Sequence, residues 1–190
     1  MVPSNRPESN RFPHPIPDSM TRWWNQFQSL FYSRLRWLPE LAAGRVAKPA
    51  EDLPLPPLAT PVPELGAATI GIVTAGGLHL RTDPPFDMQN PDGDGSYRVI
   101  PSDAPPEALT ITHDYYDHSA ADRDRNCVLP IDRLSELVRA GEVGGVAPRH
   151  VGMMGHLLGA QREKLIRSTA REIADLFRED GVDIVLATPG

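Results

Sequence analysis

The sequence predicts an α/β fold, a doubly wound parallel sheet incomplete at its C-terminus and preceded by an N-terminal helical extension. Three observations predict it. Short β-branched apolar runs (AATIGIVT at 67–74, LTIT at 109–112, VDIVLA at 182–187) alternate with amphipathic helical patterns at 130–141 and 156–180, the spacing of helix crossovers between parallel strands that wind right-handedly. The last run closes in Thr188-Pro189-Gly190 with no helix after it, which leaves one sheet face poorly covered. The 21 prolines gather outside these periodic segments.

Composition bounds the function. The 190 residues are 40% hydrophobic and 23% charged, enough for one domain with a working core plus extensions. A single cysteine, Cys127, excludes an intrachain disulfide and a Cys-based zinc site, as expected of a reducing cytoplasm. The net charge of -6 is uneven: residues 1–50 hold seven Lys/Arg against three Asp/Glu, the remainder twelve against twenty-two. An acidic body argues against nucleic acid as a partner. The start lacks a secretory signal's apolar core, and no run reaches membrane-spanning length.

Residues 1–18 carry five prolines among polar residues and are expected to be a disordered tail. Residues 19–41 read as an amphipathic aromatic helix capped by Asp18 or Ser19, with Trp23, Trp24, Phe27, Leu30, Phe31, Leu35, Trp37 and Leu38 at three-and-four spacing. Packing on the body or a partner fits that stripe better than a membrane surface, because Arg22, Arg34 and Arg36 are few for an anchor. Residues 42–66, with six prolines, read as an extended linker, and 67–190 as the folded domain.

Within the domain, Ala67 to Thr74 is the first buried strand and runs into Ala75-Gly76-Gly77-Leu78-His79-Leu80. This turn lacks G-x-G-x-x-G spacing, and Pro84 and Pro85 prevent a helix after it, so a dinucleotide site is not indicated. Asp92, Asp94 and Gly95 lack the further ligands of a calcium loop. Ser96 to Ile100 is a short edge strand, and Leu109 to Thr112 delivers the chain into His113-Asp114-Tyr115-Tyr116-Asp117-His118-Ser119. Two His and two Asp there suit metal ligation or acid–base work, but the spacing matches no established metal motif, and a polar loop of Asp caps and packed Tyr explains it better. Cys127, just ahead of a helix, reads as a buried thiol. Pro130 opens a helix with Ile131, Leu134, Leu137 and Val138 on one face and Gly141 as its stop. Ala147 to Gly152 reads as a strand-to-loop passage. The long helix from about His156 to Asp180 turns Leu158, Leu165, Ile166, Ile173, Leu176 and Phe177 inward. Loops after the strands are expected to bring His79, His113 to His118, His150 and the Thr188-Pro189-Gly190 end to one rim, where open α/β sheets bind ligands.

The segments VTAGGLHL, DPPFD, GSYRVIP, YDHS, DRDRNCVLPIDRLSELVRAGEVGGVAPRHVGMMG and GVDIVLATPG, in this order and spacing, resemble the selenoprotein B family of glycine, sarcosine, betaine and D-proline reductases, most of all its small D-proline reductase subunit. The similarity spans about Ile70 to Gly190 and leaves out the N-terminal extension. It implies a redox subunit for reductive C–N cleavage, with the catalytic selenocysteine or cysteine immediately after Gly190 and none within the chain. It further implies that a UGA codon read as a stop accounts for the end of the chain, and that these residues alone are catalytically inert. Other reductase subunits, a thioredoxin-like or dithiol electron donor, and a pyruvoyl group on a partner subunit in the D-proline case follow from the same resemblance; no bound cofactor or metal is expected. By matching position His79, Asp117, Ser119 and His150 are expected to bind substrate. Two other readings stand beside it: a non-catalytic binding or assembly module, and a metal-dependent hydrolase built on His113, Asp114, Asp117 and His118.

Overall fold

The computed structural model describes residues 64–190, so the tail, the aromatic helix and the linker up to residue 63 lie outside the described residues. The linker's last residues enter a short 3-10 turn, Leu65–Ala67. The fold is then organised about β1 (Thr69–Thr74), whose alternation serves two cores. Ile70 and Ile72 pack on one face with Ile131 and Leu134 of α2 (Ile131–Arg139). Val73 packs on the other with Ile173, Leu176 and Phe177 of α4 (Ala170–Glu179). Helices on both faces make the sheet doubly wound. Gly71 is required by the close approach of Phe177, since a Cβ there would lie 3.0 Å from the ring. Burial of that phenyl ring stabilises the fold by roughly 2–3 kcal/mol.

Along one edge of β1 runs β7 (Ile184–Thr188), parallel, from Ile70↔Ile184 to Thr74↔Thr188. The other edge takes β5 (Gly145–Val146) and β6 (Arg149–Met153), also parallel. β3 (Tyr97–Pro101) closes the far side of β6 and is antiparallel, so the sheet is mixed where the sequence predicts parallel strands throughout. Residues 81–96 contain no helix to carry the chain back to the other end of the sheet, and an antiparallel neighbour needs none. β2 (Leu78–Leu80) and β4 (Leu109–Ile111) form a separate antiparallel ribbon. A short α1 (Ser119–Arg123) precedes α2.

The long helix begins at Gly159, later than its apolar pattern suggests, as α3 (Gly159–Lys164), and passes through a π turn (Leu165–Thr169) into α4. The wider turn slips the helical phase, turning Thr169 inward to donate to the Gly95 carbonyl at 2.7 Å. Ile166, within the π turn, and Leu158, left outside the helix as its N-cap, are exposed where the sequence expects them inside, and Leu137 of α2 is exposed as well. In β7, Val185 and Leu186 are also solvent-exposed.

Candidate active-site cleft

Because β1, β6 and β7 are parallel, their carboxyl ends share one rim. Cross-links fix that rim: the Ala75 amide donates to the Thr188 carbonyl at 2.9 Å, the Gly77 amide to Met153 at 2.9 Å, and the Thr188 hydroxyl to Val128 at 2.6 Å. Gly77 adopts φ +71°, and a Cβ there would lie 2.6 Å from the Thr112 carbonyl oxygen and 2.7 Å from the His113 Cβ. Only glycine lets the turn after β1 lie directly on the segment that carries His113. Between these pieces opens a cavity of ≈ 470 Å³ lined by Ala75, His113, Tyr115, Tyr116, Gly155, His156, Pro189 and Gly190.

Its wall is aromatic. The Tyr115 and His156 rings stack at 4.3 Å, and His113 meets Tyr116 edge-on at 5.0 Å and Tyr115 at 5.9 Å. His113 is 5% exposed, and its Nδ1 accepts from the Tyr115 amide at 3.3 Å. A backbone N–H can only donate, so the neutral ring carries its proton on Nε2. Burial, with repulsion from His156 and then His118, pushes His113 down to about 4. The Tyr116 hydroxyl donates to the Gly76 carbonyl at 2.8 Å, and burial followed by the Asp122 charge pushes it up to about 12. Burial and then Asp114 also raise Tyr115. His156 Nε2 donates to the Pro91 carbonyl at 3.0 Å. Gly190 seats against this wall: a Cβ on it would be 3.2 Å from Tyr116 Cε1 and 2.9 Å from Gly76 Cα.

The residues singled out in sequence are only partly brought together. His113 reaches the rim; His79 and His150 do not, because the passages that contain them are strands rather than loops. His79 lies within β2, buried, with Nε2 against Thr112 Oγ1 at 2.9 Å and Nδ1 against the Leu80 carbonyl oxygen at 2.7 Å. His150 lies within β6, with Nδ1 accepting from the Ile72 amide at 3.1 Å and Nε2 bonded to Ser102 Oγ at 2.8 Å. Asp117 accepts from the Ser119 amide at 3.0 Å at the start of α1, outside the cavity lining. His118 pairs with Asp122 at 2.7 Å instead of converging with His113, and among the described residues no group of three or more His, Cys, Asp or Glu is placed to hold a metal. Cys127 ends a 3-10 turn and is exposed, not buried.

Tyr115 and Tyr116 reach the cleft with the cluster expected at the rim, whereas Gly155 and His156 are cleft residues the sequence does not point to. The two tyrosines stood in the polar cluster, but the bridge of Gly76 to Met154, which brings Gly155 and His156 beside them, has no local signal. A second cavity of ≈ 500 Å³ lies between the ribbon and α1. Two of its arginines hold the fold: Arg81 donates to the Glu107 carbonyl, and Arg125 to Ala104 and Asp132. The strand-end cleft is the better site, because there the topology converges open backbone and side chains.

Residues 50–189 match the glycine/sarcosine/betaine reductase selenoprotein B family. The chain is 40% identical over 136 residues to D-proline reductase subunit gamma of Acetoanaerobium sticklandii, covering 71% of this chain and 54% of that protein. It is 30% identical over 145 residues to betaine reductase complex component B subunit beta of Peptoclostridium acidaminophilum, covering 72% and 32%. Over 130 residues it is 30% identical to glycine reductase complex component B subunit gamma of Symbiobacterium thermophilum, covering 67% and 30%. The chain thus spans about half the length of the first of these relatives and about a third of the others. No solved structure matches. The family match covers residues 50–189, and the chain belongs to the glycine/sarcosine/betaine reductase selenoprotein B family.

Proposed function

We propose that this chain forms the cleft of a glycine, betaine, sarcosine or D-proline reductase-type enzyme that cleaves a C–N bond reductively, with the reacting selenolate or thiolate on the residue that follows Gly190 in the complete protein. The observation that supports it is the seat of Gly190, against Tyr116 and Gly76 on the cavity wall at the sheet's carboxyl rim. The residues present fit an anionic reacting atom, since no Asp or Glu lines the cavity to repel it. A selenolate or thiolate there supplies the nucleophile, and a dithiol or thioredoxin-like donor restores it.

This chain's own residues position and enclose. Thr188 anchors the approach to Gly190, Tyr116 holds the Gly76 turn, and the His113, Tyr115 and His156 rings wall off water. His79, Asp117, Ser119 and His150 support these pieces through the bonds described above. The names of the relatives, each a subunit or complex component, support further reductase subunits as partners. A pyruvoyl group on one of them in the D-proline case and a cytoplasmic setting belong to the same proposal. Sequencing the gene beyond the Gly190 codon tests the reading: UGA or a cysteine codon with an open frame supports it, and any other codon there contradicts it. Turnover of D-proline, glycine, sarcosine or betaine with a dithiol is expected of the complete protein with its partner subunits.

A second reading, a binding or assembly module, draws on the exposed Val185 and Leu186 of β7. Substrate-independent complex formation without turnover would favour it.

A further inference from the structure

The cleft has an unusual charge balance. None of its lining residues is Lys, Arg, Asp or Glu, and its most buried polar group, His113, is held neutral with one tautomer. Among the described residues no acceptor takes the His113 Nε2–H. That atom faces the Gly155 wall, where a Cβ built on Gly155 would stand 3.8 Å from it. A neutral donor in a half-buried site suits a carboxylate oxygen, which gains a charge-assisted hydrogen bond. Tyr115 and Tyr116, both kept as neutral phenols, present ring surface beside it. Aromatic rings attract ammonium groups without a carboxylate counter-ion. A lining without Lys, Arg, Asp or Glu leaves a ligand to supply its own counter-charge, as a molecule that carries both signs does.

We propose that the cleft binds an N-alkylated amino acid as its zwitterion, with the carboxylate on His113 Nε2–H and the ammonium against Tyr115 and Tyr116. This rests on the reductase reading for the ligand class and makes His113 and the two tyrosines its binding residues. The charge balance explains why no arginine is needed: the ligand brings its own counter-charge. It also gives Gly155 a role, because any larger side chain there would occupy the space in front of Nε2.

Isosteres test it by calorimetric titration of the chain at pH 7. D-proline is compared with cyclopentanecarboxylate, which lacks the ammonium, and pyrrolidine, which lacks the carboxylate. Betaine is compared in the same way with 3,3-dimethylbutanoate and choline. At least one zwitterion is expected to bind roughly tenfold or more tighter than both of its halves. H113F should weaken that zwitterion about tenfold and leave the cation alone unchanged, while H113Q, which keeps an N–H donor near the same place, should restore binding to within about threefold. Y115L should weaken zwitterion and cation by roughly 3- to 30-fold and the anion far less. Near-ultraviolet circular dichroism confirms that each variant is folded. Equal affinity of both zwitterions and their nitrogen-free carboxylate isosteres, no binding of either zwitterion, or a folded H113F that binds normally would overturn the assignment. No turnover is read, so an inactive reductase leaves this result standing, and an active one with unaltered H113F binding loses only this assignment.

Discussion

His150 Nδ1 accepts a hydrogen bond from the Ile72 amide at 3.1 Å, so an imidazole stands where a strand carbonyl would complete the ladder between β1 and the β5–β6 edge. The break lies at Ala147-Pro148, between the two strand pieces. Nδ1 must be unprotonated to accept, so Nε2–H donates to Ser102 Oγ, whose own proton goes to the Ala147 carbonyl. One side chain, 0% exposed, thereby satisfies the gap and ties the loop after β3 to it. Removing it strands a buried amide and opens a cavity. His150→Ala should therefore cost about 3–5 kcal/mol, and Ser102→Ala about 1–3 kcal/mol, in urea unfolding.

The same bond sets a pH dependence. Burial pushes both His150 and His113 from 6.5 down to about 4, with the smaller effect of Asp180 opposing it at His150. The unfolded chain therefore takes up protons below about pH 6.5 that the folded chain refuses until about pH 4. Stability is fully present above 6.5 and falls as pH drops through that window, by up to about 3 kcal/mol for His150 alone. Urea midpoints at pH 7 and pH 4.5 check this; equal midpoints would show that these rings are not held neutral.

Gly77→Ala tests the turn that brings β1 onto His113. The methyl would meet the Thr112 carbonyl oxygen at 2.6 Å and force an L residue to φ +71°, so a loss of roughly 2–4 kcal/mol is expected in thermal unfolding. A shift in the His113 ring resonances should accompany it.

Thr188→Val removes the hydroxyl that donates to the Val128 carbonyl. The expected stability loss is only about 1–2 kcal/mol. Because that bond aims Pro189 and Gly190 at the cleft, the proposed function predicts that reductase turnover falls more than stability does, by roughly tenfold or more.

The architecture was legible in sequence because burial on two faces requires it: the β-branched runs, the Pro130 start and the Gly141 and Gly181 stops all lie where local chemistry puts them. β3's direction, the π turn and the exposure of Ile166 were not, since each follows from tertiary packing, above all the Thr169 bond to Gly95. At the site, the His113 cluster and the approach of Thr188-Pro189-Gly190 could be read from position after a strand. His79 and His150 read as loop residues in sequence because strands β2 and β6 are short and their polar members resemble loop residues. What hides them is the partner: Thr112 and Ile72 satisfy rings whose neighbours are far away in sequence. His156 joins the cleft only through the crossing of Gly76 and Met154, a contact that no local pattern encodes.

Filling the cleft tests the central claim most directly. Gly155→Val puts a Cβ 3.3 Å from the Ala75 carbonyl oxygen and 3.8 Å from His113 Nε2, and its two methyls take up further space beside them. On the proposed function, amino-acid reductase turnover of the assembled protein with dithiol should drop by about 100-fold or more, with the folded fraction at assay temperature unchanged. Turnover equal to that of the unaltered enzyme in a folded Gly155→Val protein would place the chemistry elsewhere.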